Sequence, residues 1–245
     1  MASYLTHDHQ HDGIDRRGFL KCMAWAGTGL VFTVTAGGLL TSCTLPQALG
    51  GAPPVEGFSF VQVSDNHIGF TAPGVNTDVT KTFAQVVERI NALPRRPAMV
   101  IHTGDLSHLS KPAEFDTNMQ ILKSIKADQF FTVPGEHDVI GDAGKAYRDR
   151  FLPKGQVMDY YSFDYKGMHF IALSNAGVED SFGALGTTQL DWLKKDLQGV
   201  NHDTPIVVFA HVPLYAVYEL WGWTTKDQAQ AMALLKPFSA VTVLN

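Results

Sequence analysis

Carboxylate and imidazole side chains follow four apolar runs of this chain, each time directly after the run ends. The four segments are Asp65-Asn66-His67, Gly104-Asp105, Gly135-Glu136-His137-Asp138 and His211-Val212-Pro213. Because the strand ends of an open α/β sheet converge on one crevice, these side chains can meet although they are far apart in sequence. Carboxylates combined with imidazoles suit divalent ions such as Mn, Fe or Zn. The pattern therefore predicts a metal-dependent hydrolase.

Two of these segments indicate how ions would be held. Asp65 and His67 are two residues apart, so an extended backbone would point both side chains the same way. Gly104 allows a tight turn before Asp105, which makes this carboxylate a candidate bridge between two ions about 3.5–4 Å apart. A strand-end Gly-Asp taken alone is more often a turn or a helix cap, so the ligand interpretation depends on the other segments.

The ordered set Asp-x-His, Gly-Asp, Gly-x-His-Asp and His-x-Pro resembles the calcineurin-like metallophosphoesterases, over residues 58–245. The resemblance implies a four-layer α/β/β/α sandwich with mixed sheets. It also implies hydrolysis of phosphomonoesters or phosphodiesters through two divalent metal ions (Mn, Fe or Zn), with a phosphorylated small molecule as the substrate.

The same resemblance implies a role for each metal-ligating residue. Asp65 and His67, together with Asp105, would bind the first ion. His211 would bind the second ion, and Glu136 stands at the position of another ligand to it. For His211 the alternative is a hydrogen-bonded histidine of the core.

His137 and Asp138 would lie beyond the metal ions. In the family this histidine contacts the phosphoryl oxygens or the leaving group, as a general acid, and the aspartate orients it. An unperturbed imidazole pKa of about 6.5 suits proton donation near neutrality. The alternative is a buried structural His-Asp pair. His102 is predicted to be a packing residue at a strand end, and the role of His108 stays open.

Two features depart from the family pattern. The family usually carries Asn where this chain has Glu136, and its Gly-His-x-His segment has no counterpart because no His follows His211. A strand predicted over Val241–Leu244 would directly precede that segment. We therefore expect the C-terminal strands and the last ligands of the family to be missing, with weak or absent activity. A catalytically inactive metal- or phosphate-binding envelope protein, or a nonfunctional fragment, is the alternative.

Alternating strand and helix patterns position these segments. The predicted strands are 58–63, 99–102, 130–133, 206–211 and 241–244, with a hairpin of 160–165 and 168–173. The predicted helices are 79–93, 112–126, 188–197 and 226–235.

The composition fits one globular domain and offers no basis for nucleic-acid binding. An apolar fraction of 45% allows a sizeable core, and a net charge of −5 leaves no basic stripe for a nucleic-acid backbone. Four aromatic residues after His211 could form a rim that stacks a base, or a loop packed over the sheet: Tyr215, Tyr218, Trp221 and Trp223.

Residues 1–44 are predicted to be a leader, followed by a linker over 45–57 and the metallophosphoesterase domain over 58–245. Asp-Arg-Arg-Gly-Phe-Leu-Lys at 15–21 resembles a twin-arginine export signal, and residues 22–55 contain no charged side chain. The resemblance implies the twin-arginine export machinery as a partner and an exported or periplasmic location. An uncleaved leader would instead anchor the chain in the membrane.

The cysteines and histidines of the N-terminal region each allow two interpretations, one functional and one without a function. Leu40-Thr41-Ser42-Cys43 resembles a lipobox, so Cys43 either receives a lipid anchor or is an ordinary cysteine. Both cysteines of the chain precede the domain, which therefore contains no disulfide. His7, His9 and His11 form either a metal-binding tract or a flexible extension.

Overall fold

The predicted strands form two β-sheets. A computed structural model describes residues 57–177, 183–215 and 224–245, together with the backbone of two further strands. The first sheet contains β1 (Gly29–Val34), β2 (Leu40–Thr44), β3 (Phe58–Val63), β4 (Met99–His102) and β5 (Gln129–Thr132). Their spatial order is β2-β1-β3-β4-β5. Because β3, β4 and β5 are parallel, their carboxyl ends lie at one edge of the sheet.

The second sheet is also mixed. It contains β6 (Tyr161–Tyr165), β7 (Met168–Ala172), β8 (Ile206–Phe209) and β9 (Val241–Leu244), in that spatial order. Strands β6 and β7 form the predicted antiparallel hairpin, whereas β7, β8 and β9 are parallel. The helices are α1 (Val79–Asn91), α2 (Pro112–Leu122), α3 (Lys145–Phe151), α4 (Gly186–Leu197) and α5 (Gln228–Leu235).

Three apolar cores hold the layers together, as successive side chains of β3 illustrate. Phe58 and Phe60 belong to the core between the sheets, where the ring of Phe60 meets that of Phe170 edge-on at 5.7 Å between centroids. Val61 and Val63 belong to the core beneath α1 and α2. A third core joins the second sheet to α4 and α5. The layers run helix, sheet, sheet, helix, which confirms the predicted α/β/β/α sandwich.

Two strands lie within the region predicted to be a leader. Strand β1 pairs antiparallel with β3, and β2 pairs antiparallel with β1. A run rich in Val, Thr and Phe favours a strand beside an open sheet edge, and the division of the chain into leader, linker and domain stays a prediction. The twin-arginine segment at 15–21, the His7–His11 tract and most of the linker lie outside the described residues. Export, cleavage and lipidation at Cys43 stay predictions.

Several element ends differ from the prediction by a few residues. Helix α2 ends at Leu122 rather than near Lys126. The side chain of Asn91 holds the chain there in a turn, since it accepts from the Lys126 N–H (2.6 Å) and donates to the Ser124 carbonyl (2.8 Å). Helix α3 is absent from the prediction. Among the residues described, no helix is both long and apolar enough to span a membrane.

Candidate metal centre

The first two predicted segments lie side by side at the carboxyl ends of β3 and β4. The Asp65 N–H donates to the Gly104 carbonyl oxygen and the His67 N–H donates to the Asp105 carbonyl oxygen, both at 3.0 Å. These hydrogen bonds continue the pairing of the two parallel strands beyond their ends. Both segments are thereby fixed relative to one another before any ligand binds.

Asp105 lies at the centre of the cluster and is almost fully buried. Its Oδ1 accepts the backbone N–H of His137 at 3.0 Å. Its Oδ2 lies 3.4 Å from Nε2 of His67 and 3.5 Å from Nε2 of His211, so the same oxygen faces imidazoles from both sheets. This is the position that a bridging carboxylate would require.

His211 brings in the fourth segment, from the end of β8. Its Nδ1–H donates to the Thr103 carbonyl oxygen (2.8 Å), and its Nε2 lies 2.8 Å from Oε2 of Glu136. Burial lowers the pKa of His211, but hydrogen bonding to Asp105 and Glu136 and the negative charges of Asp105 and Asp65 more than offset this, and the pKa lies well above its ordinary value. The raised pKa shows that the surrounding carboxylates stabilise positive charge at His211. A divalent cation bound there would supply such a charge.

Three of the predicted ligands have unusual backbone conformations. The φ angles of Asp65, His67 and Asp105 are 55°, 42° and 56°, in the left-handed region that costs non-glycine residues energy. Asp65 and His67 are therefore not extended, contrary to the prediction. Their side chains nevertheless converge, with 3.7 Å between Nε2 of His67 and Oδ1 of Asp65. Such strain at several adjacent residues is typical of functional sites.

Two glycines allow the segments to approach this closely. A Cβ on Gly104 would lie 2.5 Å from Nδ1 of His211, and the φ of Gly104 is 108°. A Cβ on Gly135 would lie 2.1 Å from Oδ1 of Asp105. Any larger residue at either position would displace a predicted ligand.

The third segment holds its histidine differently from the prediction. The prediction has Asp138 orienting the imidazole of His137. In the structure, the Nδ1–H of His137 donates to the backbone carbonyl oxygen of His108 at 2.6 Å. The carbonyl fixes the tautomer and leaves the lone pair of His137 on Nε2.

Asp138 instead ties the Gly-Asp loop to the third segment. Its Oδ2 accepts the N–H groups of Leu106 (3.1 Å) and Gly135 (3.0 Å), and its Oδ1 accepts the N–H (2.7 Å) and hydroxyl (2.9 Å) of Ser107. Burial raises the pKa of this carboxyl group to about 6, although the N–H donors act in the opposite direction. Asp138 is a positioning residue for the loops, which corrects its predicted role beside His137.

His102 is a buried histidine of the core, as predicted. Its Nδ1 accepts the Gly104 N–H, and its Nε2–H donates to Oδ1 of Asn66. Burial lowers its pKa to about 3, so the ring is neutral. With both nitrogens in use, His102 supports Asn66 within the first segment and offers no ligand atom.

The prediction left open one residue that the structure places in the cluster. The ring of His108 stacks on that of His137, with 4.9 Å between centroids and 17° between planes. The buried carboxylate of Glu114 holds the preceding loop by accepting the N–H groups of His108 (3.2 Å) and Leu109 (2.8 Å). The position of His108, three residues after Asp105, was the only sequence signal for its inclusion.

Two donor clusters share Asp105. One comprises Asp65, Asp105 and His211, and the other comprises Asp105, Glu136 and His137, with ligand atoms in each group within 4.8 Å of one another. Both histidines direct Nδ1 to a backbone carbonyl, which is how metal-binding histidines are commonly held with Nε2 free. Carboxylate and imidazole donors in this arrangement fit divalent ions of the hard-to-borderline class.

A four-layer sandwich with such donors at its strand ends defines a class of metal-dependent hydrolases. The chain belongs to the calcineurin-like phosphoesterase family, whose sequence profile matches residues 58–242.

The curated relatives include proteins named as phosphodiesterases and others named as phosphatases. A 3',5'-cyclic-nucleotide phosphodiesterase from Nostoc sp. is 27% identical over 167 residues, covering 66% of this chain and 59% of the relative. A glycerophosphodiester phosphodiesterase from Enterobacter lignolyticus is 30% identical over 140 residues, covering 56% of this chain and 49% of the relative. This chain spans about half the length of the curated relatives it matches.

A solved structure confirms the fold. A dimetal phosphatase from Danio rerio superposes with a TM-score of 0.55 at 15% identity, covering 74% of this chain and 78% of that chain.

Proposed function

We propose that the protein is a phosphoesterase that uses two divalent metal ions, Mn, Fe or Zn, and prefers phosphodiesters to phosphomonoesters. The observation that carries this proposal is the placement of Asp105, whose Oδ2 faces Nε2 of both His67 and His211 at 3.4 and 3.5 Å. As the family resemblance implies, Asp65 and His67 would complete the first site, and Glu136 and His211, which lie 2.8 Å apart, would serve the second. Divalent ions, when bound, supply positive charge that polarises a phosphoryl group and lowers the pKa of a nearby water.

His137 is the residue suited to assist the leaving group. Its Nδ1–H is held by the carbonyl of His108, so Nε2 is the nitrogen that can hold and release a proton. The fixed tautomer means that a proton on Nε2 makes the ring cationic and therefore a stronger acid than a neutral imidazole. Asp138 contributes by holding the loops, not by contacting this ring.

The preference for diesters follows from the charge of Glu136. Together with Asp65 and Asp105 it brings three carboxylates to the two donor clusters, where Asn at this position would leave two. The additional negative charge weakens attraction for a monoester dianion more than for a diester monoanion. The names of the two relatives, a cyclic-nucleotide phosphodiesterase and a glycerophosphodiester phosphodiesterase, support the same preference.

The test compares turnover of bis(4-nitrophenyl) phosphate and 4-nitrophenyl phosphate by the Mn²⁺-loaded full chain. We expect diester hydrolysis, although weak, to be faster than monoester hydrolysis, with a loss of at least about 100-fold on Asp105→Asn and no change on Asp191→Asn, an exposed control on α4. Glu136→Asn should raise the monoester-to-diester ratio, and an unchanged ratio would refute the charge argument. A folded, metal-loaded chain without turnover would instead favour the metal- or phosphate-binding protein.

We also propose export by the twin-arginine machinery, with anchoring through a lipid on Cys43 or through an uncleaved leader. The basis is the Asp-Arg-Arg-Gly-Phe-Leu-Lys segment at 15–21. Changing both arginines, Arg16 and Arg17, to Lys should retain the chain in the cytoplasm of the expressing bacterium. Unchanged appearance in the periplasmic or membrane fraction would contradict this proposal.

A further inference from the structure

We propose that His67, His108 and His137 form a nitrogen-donor site for a borderline transition-metal ion such as Cu²⁺ or Zn²⁺, an alternative to the metal sites proposed above because it uses His67 and His137. A ring nitrogen of each histidine lies within 4.8 Å of one from each of the others. Ring centroids are 4.7 Å apart for His67 and His137, and 5.7 Å apart for His67 and His108. Metal–nitrogen bonds of about 2.0–2.1 Å would require the stacked rings of His108 and His137 to turn until both lone pairs point at one ion.

Two nitrogens of this cluster lack a hydrogen-bond partner within the described part of the chain. They are Nδ1 of His67 and Nδ1 of His108, and both atoms are buried. Buried polar atoms in folded proteins are nearly always paired, so two such atoms in one cluster require a physical explanation. An ion that accepts a lone pair from each ring provides one. The third donor, Nε2 of His137, is already freed by the hydrogen bond from Nδ1 to the His108 carbonyl.

The loop that carries His108 is built to hold this geometry. Glu114, which is buried, accepts the His108 N–H through the carboxylate that also binds the Leu109 N–H. The ring of Phe70 meets that of His108 edge-on at 5.2 Å between centroids. The imidazole of His108 therefore contacts the rings of both Phe70 and His137.

A site with three imidazole donors prefers different metal ions from the clusters that contain carboxylates. Imidazole suits Zn, Cu and Ni, whereas carboxylate oxygens suit Mg and Mn. A neutral His67 has one lone pair, so binding through Nδ1 leaves a proton on Nε2, which faces Oδ2 of Asp105 at 3.4 Å. A copper or zinc ion in this site would thus remove His67 and His137 from the ions proposed above.

Electron paramagnetic resonance of Cu²⁺ tests the site, because nitrogen superhyperfine coupling reports how many nitrogens bind the ion. The experiment uses the full chain with His7, His9 and His11 changed to Gln in every sample, since that tract could bind copper itself. At one equivalent of Cu²⁺ we expect the pattern of three nitrogens. Asp65→Asn should retain this pattern, because the carboxylate is not a donor.

The informative variant is His108→Gln, compared with His202→Gln, which removes an exposed histidine elsewhere. We expect His108→Gln to lose the three-nitrogen pattern and to weaken Cu²⁺ binding at least about tenfold, with His202→Gln unchanged. Should His108→Gln fail to fold by circular dichroism, His67→Gln tests the same donor set. A starting protein with two or fewer coupled nitrogens, or three that survive loss of His108, would overturn the proposal. Since no turnover is measured, the outcome is independent of the phosphoesterase proposal.

Discussion

Replacing Asp138 with Asn removes one of the two oxygens that hold the Gly-Asp loop against the third segment. Each carboxylate oxygen accepts two hydrogen bonds, from Leu106 and Gly135 on Oδ2 and from Ser107 twice on Oδ1. Asn keeps one acceptor and turns an NH₂ group toward two buried donors. At about 1–3 kcal/mol for each unsatisfied buried donor, the free energy of unfolding should fall by about 2–6 kcal/mol. That is a large share of the roughly 5–15 kcal/mol typical of a domain.

Urea unfolding followed by circular dichroism at about pH 8, where the carboxyl group is ionised, measures this loss. Asp128→Asn is the matched control, since its ion pair with Arg96 is exposed on both sides and should change stability by less than about 1 kcal/mol. The reasoning would be refuted if Asp138→Asn left the free energy of unfolding unchanged but shifted the pH dependence of diester hydrolysis. That result would restore Asp138 as the partner of the His137 imidazole.

Two further predictions concern packing and charge. Gly135→Ala should weaken Mn²⁺ binding at least about tenfold in a calorimetric titration, because its Cβ would lie 2.1 Å from Oδ1 of Asp105. Gly199→Ala is the control, with its nearest neighbouring atom 4.0 Å away, and equal affinities would contradict the prediction. Burial lowers the pKa of His169, but hydrogen bonds to Asp196 and Asp164, both at 2.8 Å, raise it above 6.5 overall. The protonated His169 therefore contributes its full stabilisation below about pH 6.5, and this contribution is lost as the pH rises. In urea unfolding, His169→Gln should lower the free energy of unfolding more at about pH 6 than at pH 9. An equal loss at both pH values would contradict the prediction.

The strands, the helices and the order of the layers could be predicted, because the local pattern of apolar and polar residues determines them. Apolar runs of strand length followed by Asp, His or Gly-Asp identified β3, β4 and β8, and the layer order followed from their alternation with helices. The convergence of the four segments also followed, because strand ends at one edge of a sheet must lie together.

The features that the sequence did not predict are the hydrogen-bond partners of individual polar side chains. The sequence shows Asp138 next to His137, but only the folded chain shows that its carboxylate binds Leu106 and Ser107 instead. The inclusion of His108 depends on a loop whose path is held by a buried carboxylate on another element, Glu114. Neither choice leaves a periodic signal, because both are made by hydrogen bonds from one carboxylate to particular backbone N–H groups.

Elemental analysis of Mn²⁺ bound to the dialysed full chain tests the central claim most directly. The shared position of Asp105 predicts about two ions per chain, and loss of both on Asp105→Asn, because one carboxylate serves both clusters. A folded chain that retains no manganese, or an Asp105→Asn protein that still holds two ions, would contradict the account.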